Sequence, residues 1–115
     1  MNKKIFLSFG KKKITLETEI MNGLGEVIGL MFSRKEKAKN LLFEFPKPVR
    51  LSIHSVFVFF PFIAIWLDSD GKIIEIKKVK PFSFRVCPQK KFSSFVEIPI
   101  NKKNRKIVVD IEKFK

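Results

Sequence analysis

The chain has 115 residues, a mass of 13.5 kDa, one cysteine (Cys87) and one histidine (His54). That is room for one domain around one core, spanning residues 1–115, with no internal disulfide and too few soft ligands for a Cys/His zinc site. The 45% hydrophobic content excludes a disordered tail, and the net charge of +13 points toward anionic surroundings.

The first element is a strand. Ile5, Leu7 and Phe9 alternate with Lys4, Phe6 and Ser8. Gly10-Lys11 separates it from a second alternating run, where Ile14, Leu16, Thr18 and Ile20 face one way and Lys13, Thr15, Glu17 and Glu19 the other. The two predict a hairpin. Asn22 then suits a helix cap, with Leu24, Val27, Ile28 and Met31 on one helical face. Gly23, Gly25 and Gly29 limit that helix to about two turns. Residues 33–39 add one exposed turn.

Leu41, Phe43 and Phe45 predict the next strand, closed by Pro46. The longest apolar run, residues 56–67, contains Pro61 and is far short of the ~20 residues a membrane-spanning helix needs. It reads as buried core, with Trp66 inside. Asp70-Gly71 between 63–68 and 72–79 predicts a second hairpin with a type I′ turn. Residues 95–100 supply a third partner strand. Ile107, Val109 and Ile111 alternate with Lys106, Val108, Asp110 and Glu112, which predicts a last strand.

These elements predict an all-β chain of about seven short strands and one short helix. A small barrel, or a strongly curled antiparallel or mixed sheet, removes the exposed edges such a set would leave. Fourteen Phe and no Tyr supply interior volume without hydroxyls to satisfy. The apolar stretch after Met1 is too short for a secretory leader, so a cytoplasmic protein without a transmembrane segment is expected.

The candidate chemistry is thin. Asp68-Ser69-Asp70-Gly71 with Glu75 falls short of a calcium loop and reads as a tight turn. Gly23-Leu24-Gly25 and Gly29 miss the spacing of a phosphate loop. His54 beside Ser52 and Ser55 reads as structural, and Cys87 as a half-buried free thiol that Arg85, Lys90 and Lys91 would activate if they approached it. Lys77, Lys78, Lys80, Arg85, Lys90 and Lys91, interleaved with Phe82, Phe84 and Phe92, form the best candidate for nucleic-acid contact. The competing reading puts those rings in the core and the lysines in solvent. Twenty lysines against four arginines, at 34, 50, 85 and 105, disfavour base-specific readout and favour weak, salt-sensitive contact.

The ordered set Gly29-Leu30-Met31-Phe32-Ser33-Arg34, Leu41-Leu42-Phe43-Glu44-Phe45, Ile53-His54-Ser55-Val56-Phe57-Val58-Phe59-Phe60-Pro61, Ile65-Trp66-Leu67-Asp68 with Gly71-Lys72-Ile73-Ile74, Lys78-Val79-Lys80-Pro81-Phe82 and Phe95-Val96-Glu97-Ile98-Pro99 resembles the domain of unknown function 192 family over about residues 14–110. That family is also called uncharacterised protein family 0127, and this chain looks most like its archaeal form. The resemblance implies a compact, mostly-β, barrel-like fold with a short helix around the Gly-Leu-Met motif, and no established reaction. It also implies an acidic residue two positions after the proline of the Phe-Phe-Pro run, where this chain has Ile63.

The expected function is a non-catalytic binding or accessory module. The alternatives are a small enzyme with a pocket around His54 and Glu97, and a non-specific nucleic-acid-binding protein. The candidate ligand-binding residues are Arg34, His54, Lys80, Arg85 and Glu97, and the candidate nucleic-acid residues are Lys77, Lys90 and Lys91. No cofactor and no metal are expected, and no particular partner is indicated.

Overall fold

The computed structural model describes residues 2–22, 34–52, 58–83 and 86–113. The helix expected at 22–31 falls largely within 23–33, outside the described residues. Among the described residues, six strands and one helix follow one another: β1 (Asn2–Phe9), β2 (Lys12–Asn22), β3 (Leu41–Val49), β4 (Phe62–Leu67), β5 (Ile73–Val79), β6 (Phe92–Pro99) and α1 (Arg105–Glu112). The strands form one mixed sheet in the order β1-β2-β3-β6-β4-β5. Only β2 and β3 pair in parallel; the other neighbours are antiparallel.

The two hairpins form where the turn residues stand, with different turn chemistry in the second. Phe9 pairs with Lys12, leaving Gly10-Lys11 as a two-residue loop with Gly10 at φ 60°. A positive φ at the first central position is the type II′ pattern, which suits glycine and the right-handed twist. In the second hairpin the Gly71 N–H donates to the Asp68 carbonyl at 3.0 Å, and Gly71 alone has a positive φ, 80°. Asp70 does not. The turn is therefore a type I turn followed by a left-handed glycine, not the expected type I′. A separate register shift between Trp66 and Leu67 leaves Ile74 of β5 without a partner residue in the ladder. Asp68 Oδ1 accepts from the Asp70 and Lys72 N–H groups, both at 2.9 Å. That side-chain bond is the local reason a type I geometry prevails.

Period two sorts β4 into two cores. Ile63, Ile65 and Leu67 join Leu7, Leu16, Leu42, Val96 and Ile98 on one face of the sheet, while Phe62, Ala64 and Trp66 join Phe43, Phe60 and Phe95 on the other. Every residue of β4 is buried, Trp66 completely. Each buried Ile, Leu or Phe side chain among them contributes about 1.5–3 kcal/mol of transfer free energy. Trp66 and Phe92 lie nearly edge to face with ring centroids 6.5 Å apart, and Phe43 stacks on Phe95 at 4.5 Å.

The segment expected as a last strand is helix α1. Ile107, Val108 and Ile111 lie one, three and four residues apart and pack together on the first core, whereas Val109 is 49% exposed. Helical period thus claims Val108 and releases Val109, the reverse of the strand reading. The first helical bond runs from the Val108 N–H to the Asn104 carbonyl at 2.8 Å. α1 packs on the concave face of a curled half-barrel. It fills the interior that full closure of a barrel would otherwise have to fill, so the sheet stays open with β1 and β5 as its ends. Among the described residues, no helix is long and apolar enough to cross a membrane.

Buried amides anchor the start of α1. Asn101 Nδ2 donates to the Lys35 carbonyl at 2.8 Å, and Asn104 Nδ2 donates to Asn40 Oδ1 at 2.9 Å and the Pro99 carbonyl at 2.8 Å. Asn40 Nδ2 in turn reaches the Glu17 carbonyl at 3.1 Å. These bonds tie the turn at 35–40 to the sheet and the helix.

Candidate functional site

β5 stands at one end of the sheet order, and its sequence turns basic toward its C-terminus, with Lys77 and Lys78 followed by Lys80 just beyond. Successive strand side chains leave on opposite faces. Lys77 and Lys78 nevertheless both line one depression. Arg50 reaches it from the segment after β3, and Val79, Ser83, Val86 and Cys87 complete its wall. Its volume is about 630 Å³. Among the described residues, no carboxylate lines it.

The cations are held in place by defined contacts. Lys77 Nζ donates to the Cys87 carbonyl at 3.0 Å, pairs with Glu75 Oε2 at 3.1 Å and lies 5.9 Å from the Trp66 ring centroid. The last distance is within cation–π range. Arg50 Nε donates to the Pro88 carbonyl at 3.1 Å, which anchors its guanidinium at the basin. Lys78 Nζ is 3.8 Å from Glu112 Oε1, a half-exposed pair of the kind that contributes little. Cys87 is a half-buried free thiol.

The turn that supplies Lys80 and Ser83 to this basin also carries exposed aromatic surface. Lys80-Pro81-Phe82-Ser83 is a turn in which Ser83 Oγ donates to the Lys80 carbonyl at 2.9 Å. Phe82 has φ 62°, and is the one non-glycine residue with positive φ among the described residues. Proline at the second position with positive φ at the third is the pattern of a type II turn, whose third position belongs to Gly or Asn. A bulky L-residue there costs about 1–2 kcal/mol. The ring is also 54% exposed, and meets the 58% exposed Phe59 edge to face with centroids 5.5 Å apart.

The anticipated site residues scatter. Lys77 and Lys80 line the basin; Lys90 and Lys91 are exposed in the turn before β6 and do not. Phe92 is fully buried, so as a stacking candidate it is corrected to a core residue. His54, Phe84 and Arg85 lie outside the described residues. Arg34 is exposed on the turn before β3, where its carbonyl accepts from the Lys37 and Ala38 N–H groups. Glu97 is buried in β6 between Leu41 of β3 and Ala64 of β4. Glu97 Oε1 has no hydrogen-bond partner among the described residues, and burial pushes the carboxyl up to about 8. Two further depressions, about 180 Å³ beside the turn at 38–40 and about 510 Å³ beside the β4–β5 turn, contain neither Arg34 nor Glu97.

Arg50 and Phe59 were not singled out from the sequence. Arg50 is 27 positions before Lys77, and only the fold brings them to one basin. Phe59 had a partial signal, since three Phe at 59, 60 and 62 cannot all enter one face.

The family model of domain of unknown function 192, DUF192, described as uncharacterized ACR, matches residues 7–110. No curated protein matches the chain. Among solved structures, a protein of Sinorhizobium meliloti 1021, provisionally described as a transcription regulator, superposes with a TM-score of 0.76 at 16% identity, covering 93% of this chain and 84% of that one. A protein of unknown function from Novosphingobium aromaticivorans DSM 12444 gives 0.76 at 13% identity, covering 94% and 79%. At such identities the likeness is one of fold.

Proposed function

The chain belongs to that family, DUF192, and from this premise we propose that it is a non-catalytic binding module whose ligand is anionic and is held in the basin at the β5 edge. It acts as a single-domain cytoplasmic protein. The segment Ile53-His54-Ser55 leading into Phe59-Phe60-Pro61 makes it an archaeal-type member. The observation that carries the reading is the lining: Arg50, Lys77, Lys78 and Lys80, with no carboxylate among the described lining residues. Concentrating cations in a concave, low-dielectric setting raises the local concentration of anions and their encounter rate. Lysine ammoniums act there as point charges, so affinity depends on charge density more than on shape.

The test is titration with inorganic polyphosphate across a salt series. Parent protein binds at low salt and weakens steeply as salt rises. The double variant Lys78→Gln/Lys80→Gln binds several-fold more weakly, with a flatter dependence of log K on log salt. Absence of binding at low salt, or identical behaviour of parent and variant, overturns the proposal.

A second reading keeps the enzyme class, on one observation: a buried carboxyl raised to about 8 is protonated at neutral pH and fit to act as a general acid. His54 would be its partner. That reading requires a substrate to reach Glu97, and Glu97 lines none of the three depressions. Surface anion binding fits the geometry better.

A further inference from the structure

The Phe59–Phe82 pair and the basic basin share a border at the turn from Lys80 to Ser83. We propose that together they bind a single strand of nucleic acid, one base stacked on the Phe82–Phe59 pair and the adjoining phosphates on Arg50, Lys78 and Lys80. This rests on the anion-binding reading above and names its partner.

Phe82 occupies the glycine position of its turn and holds over half of its surface in water. Both features oppose stability, and the turn itself needs neither, since glycine would serve it better. Backbone strain of this kind persists at sites that use it. What it achieves here is placement: Phe82 meets Phe59 edge to face, an exposed aromatic corner on the same turn as the basin-lining Lys80 and Ser83. Charge for a backbone and a π-surface for a base are the two parts of single-strand binding, and stacking is tolerant of base identity.

The form of the site selects among polyanions. The cations line a depression. A flexible strand can enter it, whereas the flat surface of a bilayer meets mainly the rim. A duplex presents phosphates but keeps its base faces stacked internally, so it cannot use the aromatic corner. Lysine outnumbers arginine among the lining residues, which suits sequence-indifferent contact.

Fluorescence anisotropy of labelled dT12 against a 12-unit abasic strand, blunt duplex of equal length, and phosphatidylserine vesicles as competitor decides the matter. The base-bearing strand binds about tenfold more tightly than the abasic strand, on the scale expected for one stacked base. Phe82→Gly and Phe59→Ala each lower dT12 affinity toward the abasic value and leave abasic binding unchanged. Phe82→Gly also keeps or raises the melting temperature, because glycine relieves the turn. Equal affinity for dT12 and the abasic strand overturns the stacking assignment and leaves the anion-binding reading standing. Stronger binding to vesicles than to any oligonucleotide overturns it in favour of a lipid surface. Failure to bind polyphosphate and the abasic strand alike removes the underlying reading as well.

Discussion

Lys12 Nζ lies 2.8 Å from Asp110 Oδ1, joining the first residue of β2 to the last turn of α1. The Asp110 side chain is mostly covered and the Lys12 side chain about half exposed. The contact ties the helix to the sheet where Ile107, Val108 and Ile111 already join a core shared with Leu7, Leu16 and Ile98.

The hydrogen bond from Lys12 holds the Asp110 carboxyl below its ordinary value of 3.8; burial opposes that, and the charges of Lys12, Lys106 and Lys113 add to it. A depressed carboxyl stabilises the fold above the unfolded value, and the benefit is lost as pH falls through the folded one. Asp110→Asn should therefore lower the thermal midpoint at pH 7. Its difference from the parent should shrink below pH 3.8 and vanish once both states are protonated. Thermal melts of both proteins from pH 2 to 7 check this, and a constant offset would mean that the charge is not what matters.

Glu97 behaves in the opposite sense. With a folded value near 8 against 4.5, the native state keeps a proton that the unfolded chain has released throughout that interval. Stability should fall as pH rises from 4.5 to 8, by at most about 1.4 kcal/mol per pH unit, then level off. Glu97→Gln should match the parent near pH 4.5 and exceed it at pH 8. Urea midpoints of the two proteins across that range are the measurement, and parallel curves would show that the carboxyl is ionised in the fold.

Asn104 donates from one amide nitrogen to Asn40 Oδ1 and the Pro99 carbonyl. Asn104→Ala leaves both acceptors unpaired in a buried setting and should cost about 1–3 kcal/mol. Asn104→Asp should cost more, because a carboxylate cannot donate to either oxygen. Urea denaturation with an unchanged m-value would report these as pure stability losses.

The C-terminal helix offers a sharp discrimination between the two periods its sequence allows. Val109→Lys should lie within about 0.5 kcal/mol of the parent, as exposed positions do. Ile111→Lys places a charge in a fully buried position and should prevent stable folding. If the segment were a strand, the two substitutions would be comparably damaging, since 109 and 111 would share a face. Denaturation curves of the two variants separate the cases.

Much of the fold was legible because its signals are local. The alternation in β1 and β2, Gly10 between them, and Asp70-Gly71 between β4 and β5 each constrain a few neighbouring residues. Trp66 and the run around it could only be core. The segment 107–111 misled because Ile107, Val108, Val109 and Ile111 satisfy both periods, and the choice depends on which face finds apolar neighbours. The turn at 68–71 misled because the Asp68 side chain takes two backbone N–H groups and changes the turn class without changing its place. The candidate site was legible only in part. Lys77 and Lys80 stand out as a basic stretch, but Arg50 reaches the basin, and Phe59 reaches Phe82, only through the fold, and Phe92, similar in sequence context to Phe82, is buried.

Residue pattern alone was enough for a mostly-β chain, the places of its two hairpins, a core centred on β4, and a cationic excess suited to anions. The order β1-β2-β3-β6-β4-β5, the parallel pairing of β2 with β3, the half-barrel with α1 packed on its core, the convergence of Arg50 with Lys77 and Lys80, and the contact of Phe59 with Phe82 came only with the folded chain. Periodicity and turn chemistry act over a few residues and can be read directly. Strand order and side-chain convergence are set by which distant apolar faces cover one another, a competition settled only when the whole core packs.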